Sequence, residues 1–270
     1  MISILILTRN EEQNLAGCLN SVAWSDDIVV FDSLSTDKTQ AIAKSSGARV
    51  IERAFDNWSA HQNWGLANIP FRHPWVFYID ADERLTPEAA HELQAIAAQS
   101  DGAAVAYRVR RRDFFHGRWL RHVQTSPWYI RFFRPEVIHY ERLVNPVTIV
   151  DGPVGELRGY LDHYPFSKGL GHWISRHNDY SQQEALEIVK TQHLISNASA
   201  FHAFFEPDFN RRRVYQKQLF YRLPARPLLK FFLLYIFKGG ILDGRPGLTY
   251  ACLQAFYEYM IVLKVNELKA

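Results

Sequence analysis

Short apolar runs alternate with amphipathic stretches over the first hundred residues. Ile2–Leu7 is apolar apart from Ser3, which predicts a strand buried on both faces. Asn10-Glu11-Glu12 then opens a predicted helix with Leu15, Leu19 and Val22 at helical spacing. Ile28–Phe31 predicts a second strand, ending in Asp32. Thr36 or Asp37 would cap the next helix, and Gly47 would stop it. Arg49-Val50-Ile51 predicts a third strand, Ser59–Ala67 a helix, and Trp75–Ile79 a fourth strand that delivers Asp80-Ala81-Asp82. Thr86 stands at the cap of a further helix with Pro87 at its first position. Alternation of this kind predicts an α/β fold, a doubly wound and mainly parallel sheet.

The pattern changes after about residue 103. Val105–Arg112, Trp128–Phe133 and Gly155–His163 read as strands, and helical periodicity returns over Leu170–Leu194 and continues to the end. Arg108, Arg110 and Arg112 would share one strand face, either solvated or turned to a phosphorylated ligand. Phe231–Phe237 is wholly apolar but short, and Lys230 and Lys238 bracket it. A membrane-spanning helix needs roughly 20 apolar residues. Gly247–Leu263 is longer but carries Gln254 and Glu258 one turn apart. Neither is expected to span. Both could lie in a membrane interface, or pack on the preceding domain. The expected organisation is an α/β domain over 1–205 and a basic, aromatic helical extension over 206–270.

Charge sharpens that division. The 270 residues hold 31 Lys+Arg against 28 Asp+Glu, a net charge of only +3. From Arg211 to Arg245, nine basic residues face one acidic residue, so this block carries +8 and the rest of the chain −5. A basic block rich in aromatics points to an anionic surface as partner, membrane rather than nucleic acid. The 47% hydrophobic and 22% charged composition excludes wholesale disorder, and two cysteines exclude a disulfide scaffold or a four-cysteine zinc site. The first residues lack the basic region of a secretory signal, so the expected place is the cytoplasm, on the inner face of the plasma membrane. The apolar C-terminal helices leave a homodimer open.

Ligands of open α/β sheets sit beyond the carboxyl ends of the strands. Three predicted strands end there in polar clusters: Thr8-Arg9-Asn10-Glu11, Asp32-Ser33-Leu34-Ser35-Thr36-Asp37 and Asp80-Ala81-Asp82-Glu83. None has the glycine spacing of a dinucleotide fingerprint or a P-loop. Two carboxylates one residue apart can instead hold Mg²⁺ or Mn²⁺, which would bring the charge a diphosphate needs. Singly, each acidic strand end is more often a solvated terminus or a helix cap. Together they point to one site.

These three segments, Ile4–Glu12, Val29–Thr39 and Tyr78–Arg84, resemble glycosyltransferase family 2, with its GT-A fold. The similarity runs on to the lipopolysaccharide-core β-1,4-glucosyltransferases through Glu141-Arg142-Leu143, Asp151–Gly155, His163-Tyr164 and Gly239–Gly244. It implies Thr8, Asn10, Glu11 and Ala81 against the nucleotide, Asp32 accepting from a uracil N–H, and Asp80 facing the ribose or a metal-bound water. It further implies Asp82 on the metal, with His163 completing the metal site. It also implies Gln62 and Asn63 against the donor phosphate or sugar, with Gln62 standing where the family often has a basic residue before the Asn, a departure from its pattern. Inverting transfer needs a carboxylate base, for which Glu141 comes first and Asp151 second. Glu141 could equally be a surface charge beside Arg142, and His163 a structural histidine.

The resemblance therefore implies an inverting, metal-dependent transfer of a sugar, expected to be glucose, from a UDP-sugar to a lipid-anchored glycan such as a lipopolysaccharide core. Another polysaccharide or lipid-linked acceptor is the alternative within the class. A nucleotidyltransferase would want a glycine-rich loop after the first strand, which Thr8–Glu12 lacks. A nucleic-acid-binding protein would explain Arg211-Arg212-Arg213 but would be repelled by the three acidic strand ends.

Overall fold

In the computed structural model, which describes residues 1–99, 104–124, 126–141, 147–192, 200–207 and 209–270, the first apolar run becomes the central strand β1 (Ser3–Thr8). It is followed by α1 (Leu15–Val22), β2 (Asp27–Asp32), α2 (Thr39–Ser45), β3 (Arg49–Glu52), α3 (Trp58–Asn68) and β4 (Val76–Asp80). β2 and β4 flank β1 in parallel, with Thr8 opposite Asp32 and Leu7 opposite Asp80, and β3 lies outside β2. Parallel register brings the three polar strand ends to one edge, as the alternation predicts. Both faces are covered: Ile4 and Ile6 pack with Leu15, Leu19 and Phe77, while Leu5 packs with Val29, Phe31 and Tyr78.

The remainder turns the sheet mixed. A short strand β5 (Glu83–Leu85) follows the second aspartate directly, before α4 (Pro87–Ala97), β6 (Ala106–Phe115), β7 (Arg118–Trp119) and β8 (Trp128–Phe133). A hairpin of β9 (Ile138–Glu141) and β10 (Val147–Val150) precedes β11 (Val154–His163). The main sheet runs β3-β2-β1-β4-β8-β6-β11-β5. β8 is antiparallel to both β4 and β6, and β5 is antiparallel to β11, which sets Glu83 opposite His163. α4 begins as the sequence predicts, with Thr86 Oγ1 accepting from the Ala89 amide at 3.3 Å.

α1 starts later than predicted. Asn10 has φ 55°, a left-handed conformation that ends β1 in a loop instead of opening a helix. α3 is unusual in what it buries: Ser59, His61, Gln62 and Gly65 face inward. Its end is fixed by Asn57, whose side chain accepts from the Ala60 amide at 2.9 Å.

The chain divides into two compact units, Met1–Phe114 with Ser126–Ser167, and Phe115–Thr125 with Lys168–Ala270. The second is helical: α5 (Gly169–Lys190), α6 (Ala200–Phe205), α7 (Phe209–Arg222), α8 (Arg226–Phe232) and α9 (Gly244–Glu267). α5 and α9 pack through Ala185, Ile188, Ile261 and Val265. Lys264 Nζ donates to the Asn178 backbone and side-chain oxygens and to Ser181 Oγ at 2.6–2.8 Å, so the Arg176–Tyr180 stretch serves that helix pair. Glu258 is buried and paired with Arg226 at 3.3 Å. Among the described residues no helix is long and apolar enough to cross a membrane.

Candidate functional site

The loop after β2 is shaped by Asp32. Its fully buried carboxylate accepts from Thr8 Oγ1 at 2.7 Å, the Ser35 amide at 2.8 Å, Ser35 Oγ at 2.5 Å and Gln40 Nε2 at 3.0 Å. Four donors saturate the lone-pair positions of a carboxylate. Burial pushes its pKa up, but these bonds outweigh burial and leave it below the usual carboxylate value. Asn10 serves the same loop: its amide donates to Ser35 Oγ and its Oδ1 accepts from the Thr36 amide, both at 2.8 Å. The Glu11 amide donates to Thr39 Oγ1 at 2.7 Å, and its carboxylate accepts from Asn14 Nδ2. Thr8, Asn10, Glu11 and Asp32 thus meet at one edge, two strands knitted into one rim.

α3 supplies the wall beside it. His61 stacks on Phe31 with ring centroids 4.1 Å apart, and Trp64 lies on the same Phe31. Arg53 can only donate, so His61 Nδ1 accepts from it at 3.0 Å and Nε2 carries the proton toward Ser33 Oγ at 3.3 Å. Burial and then the Arg53 charge lower the His61 pKa, in keeping with a ring whose Nδ1 accepts from Arg53. Gln62 is buried with its Oε1 lacking any hydrogen-bond donor. A buried acceptor left so is costly unless something else fills it.

Around Asp80-Ala81-Asp82 the charges alternate. Asp80 Oδ1 accepts from the Tyr78 hydroxyl at 2.6 Å and Oδ2 from Arg131 at 2.7 Å. Arg131 also reaches Glu83 Oε1 at 3.2 Å, and Glu83 Oε2 accepts from the Asp80 amide at 3.0 Å. Arg111 lies 3.8 Å from Glu83 and 3.1 Å from Asp113. Asp113 holds His163 Nδ1, and His163 Nε2 is 3.3 Å from Asp82 Oδ2. The series Asp80–Arg131–Glu83–Arg111–Asp113–His163–Asp82 therefore joins the two motif aspartates through the protein interior. Burial raises the Glu83 pKa against the pull of Arg131. Burial lowers the His163 pKa, but the bonds to Asp113 and Asp82 prevail and lift it to about 9.

Whether these groups fit a divalent cation can be judged from their donors. Asp82 offers a hard oxygen, and His163 offers Nε2 with its other nitrogen oriented by a carboxylate, the usual support of a metal-binding histidine. Asp80 has both oxygens engaged by Tyr78 and Arg131, which sets it one step back. Among the described residues no three His, Cys, Asp or Glu side chains group to hold a metal alone. The Asp82–His163 pair would suit a hard divalent cation, which would supply positive charge beside this strand end.

The remaining predicted residues lie apart from that series. Asn63 donates to the Tyr140 carbonyl and accepts from the Tyr140 amide, both at 2.8 Å, and so ties α3 to β9. Glu141, the next residue, is exposed with its carboxylate 3.3 Å from His139 Nε2. Asp151 is exposed beyond β10, and its amide donates to the Val137 carbonyl. Ala81 is buried. Arg142-Leu143 of the subgroup motif lie outside the described residues. Arg108 and Arg112 pair with Glu156 and Asp162, and Arg110 lies over Trp128 at 4.6 Å, so this predicted basic face is already partnered.

Sequence reasoning missed Arg131, Arg111, Asp113 and His61. One signal was available: an arginine inside Trp128-Tyr129-Ile130-Arg131-Phe132-Phe133 is a charge at the centre of an apolar strand, which has to be buried against acids.

A family model described as glycosyl transferase family 2 matches residues 3–159. An uncharacterized glycosyltransferase of Rickettsia bellii is 35% identical, with 99% of this chain and 86% of that protein aligned. The lipopolysaccharide core biosynthesis glycosyltransferase LpsC of Rhizobium meliloti is 27% identical over 98% of this chain and 92% of its own. Among solved structures, the glucosyl-3-phosphoglycerate synthase of Mycobacterium tuberculosis, in complex with Mn²⁺, UDP and glucosyl-3-phosphoglycerate, is similar at 24% identity. That likeness covers 43% of this chain and 44% of the other, with a TM-score of 0.33.

Proposed function

The chain belongs to glycosyltransferase family 2, and from that premise we propose an inverting, metal-dependent enzyme that moves glucose from a UDP-sugar to a lipid-anchored glycan such as a lipopolysaccharide core. The observation that carries this reading is the Asp82–His163 pair, a carboxylate oxygen and an imidazole nitrogen 3.3 Å apart beside the motif strand end. Such a pair suits Mg²⁺ or Mn²⁺. When bound, that cation supplies the positive charge a departing diphosphate needs in a site without a glycine-rich phosphate loop. The likeness to LpsC, a lipopolysaccharide core biosynthesis glycosyltransferase, along nearly the whole of both chains supports a lipopolysaccharide-core acceptor. An anionic membrane surface, where such an acceptor is anchored, is the partner for the basic C-terminal block.

The chain's own residues divide the work. Thr8, Asn10, Glu11 and the loop that Asp32 braces hold the nucleotide, with Ala81 beneath it. Gln62 offers the donor its unfilled buried oxygen. Asp80, fixed by Arg131 and Tyr78, faces the ribose or an ordered water. Glu141 takes the proton from the acceptor hydroxyl as that oxygen bonds to the anomeric carbon. The bond from that carbon to the diphosphate oxygen breaks on the opposite face, and its electron pair leaves with UDP. Asp151 is the alternative base.

Calorimetric titration of UDP with Mn²⁺ and with EDTA, on the wild type and Asp82→Ala, tests the reading. Binding that requires the metal and disappears in Asp82→Ala is expected. Absence of UDP binding under both conditions overturns the donor. Tight binding without metal reassigns Asp82 and His163 away from the cation.

A further inference from the structure

Part of the helical unit presents an apolar surface that none of the residues assigned to the candidate site belongs to. α8 runs into a π-helical turn, Leu233–Phe237, and then a 3₁₀ turn, Gly240–Asp243. Leu229, Phe232, Leu233 and Ile236 recur every three or four residues on one exposed face, while Leu234 points inward. Phe237 follows at 81% exposure, then Ile241 and Leu242, the latter at 62%. Single exposed apolar side chains are ordinary, but a run of this size marks an interaction surface.

The glycines that sequence analysis leaves without a role build this surface. Gly239 and Gly244 have φ 74° and 67°. A Cβ on Gly240 would stand 2.7 Å from the Leu234 carbonyl oxygen, and one on Gly247 2.2 Å from the Gly240 oxygen. Only glycine lets the chain double back this tightly. The reversal sets the Leu242 side chain over Gly239 and brings Ile241 and Leu242 out beside the end of the apolar helix. Asp243 braces it: its buried carboxylate accepts from the His122 and Val123 amides at 3.0 and 2.8 Å and meets the His122 ring at 2.8 Å.

The rim decides the partner. Lys230, Lys238 and Arg245 flank and interrupt the apolar run in the sequence, and Asp243, the one acid between Arg211 and Arg245, is buried and occupied. A second copy would bring the same basic rim against itself, because a two-fold interface is self-complementary. An anionic bilayer matches both features, apolar beneath and negative at its surface. We propose that residues 232–242 form a membrane wedge. Phe232, Leu233, Ile236, Phe237, Ile241 and Leu242 enter the headgroup–acyl boundary, with the three basic side chains at the level of the lipid phosphates. The inference rests on the membrane-partner part of the reading above and is independent of the donor.

Flotation with vesicles of phosphatidylcholine plus phosphatidylglycerol, and with pure phosphatidylcholine, provides the test. The full chain is expected to bind the anionic vesicles and to release in salt. Phe237→Asp and Ile241→Asp are each expected to lower partitioning about tenfold or more, given the transfer free energy of one large apolar side chain. Thermal melting should not move, because both side chains are exposed. Phe237→Trp should shift its emission to the blue with anionic vesicles only. Wild-type indifference to vesicles, or wild-type binding by both aspartate variants, overturns the wedge. A light-scattering dimer that both variants convert to monomer also overturns it, in favour of a subunit interface. UDP titration on the same preparations separates failure of the wedge from failure of the transferase reading.

Discussion

The Arg131 guanidinium lies 2.7 Å from an Asp80 oxygen and 3.2 Å from Glu83, and it is itself buried in β8. One cation therefore compensates a motif aspartate and a fully buried glutamate at once. Removing one member of a buried pair leaves an uncompensated charge, at a cost of about 3–5 kcal/mol. Arg131→Met is expected to destabilise by that amount in urea unfolding. Adding Glu83→Gln should recover part of the loss, because a neutral amide needs no counter-charge. Strict additivity of the two substitutions would show that the two side chains are not coupled.

Asp113 braces the pair of side chains proposed to hold the cation. It holds His163 Nδ1 and thereby points Nε2 at Asp82. Loss of such an orienting carboxylate typically costs about 10–100-fold in metal affinity. Asp113→Asn should weaken Mn²⁺-dependent UDP binding by a similar factor, leaving metal-free binding unchanged. Arg111→Met disturbs the same carboxylate from its other side and controls for simple destabilisation. Equal UDP affinity in Asp113→Asn and wild type would remove Asp113 from any orienting role.

The parallel half of the fold was legible because its periodicity is local. Each buried strand and the helix after it can be read from one short window, and parallel register then gathers Thr8, Asp32 and Asp80 without further information. The mixed half was not. β8, β5 and β11 pair with strands far away in sequence, and those pairings alone bring Arg131, Glu83, Asp113 and His163 together. Asp32 and Asn10 illustrate a different limit. Asx side chains that suit a ligand suit loop amides equally well, and the structure uses both to brace the loop.

Asn63 is the residue best placed to fix the candidate base. Its amide makes both bonds to the Tyr140 backbone, and Glu141 is the next residue along β9. Asn63→Asp keeps the size but removes the donor, setting a carboxylate against the Tyr140 carbonyl. A stability loss of about 1–3 kcal/mol is expected. The kcat should fall with UDP affinity intact, by less than the roughly 10²–10⁴-fold expected for Glu141→Gln. Loss of UDP affinity in step with kcat in the Asn63→Asp variant would place Asn63 on the donor side instead.

Asp27 should govern stability in acid while leaving catalysis alone. It opens β2 at the end of the strand away from Asp32, fully buried, accepting from Ser3 Oγ, the Arg72 amide at 2.9 Å and Arg49 at 2.8 Å. Burial pushes its pKa up, but the Ser3, Arg72 and Arg49 interactions outweigh burial and hold it below the usual carboxylate value. A depressed folded-state pKa contributes stability that is fully present above the unfolded value, about 3.9, and is lost as pH falls through the folded one. Asp27→Asn should therefore be less stable than wild type near neutrality, and the gap should narrow below about pH 4. Unfolding both proteins in urea across that range measures the gap directly. A difference that stays constant with pH would mean that the carboxylate's charge contributes nothing beyond its shape, and that the Arg49 pair is incidental to the fold.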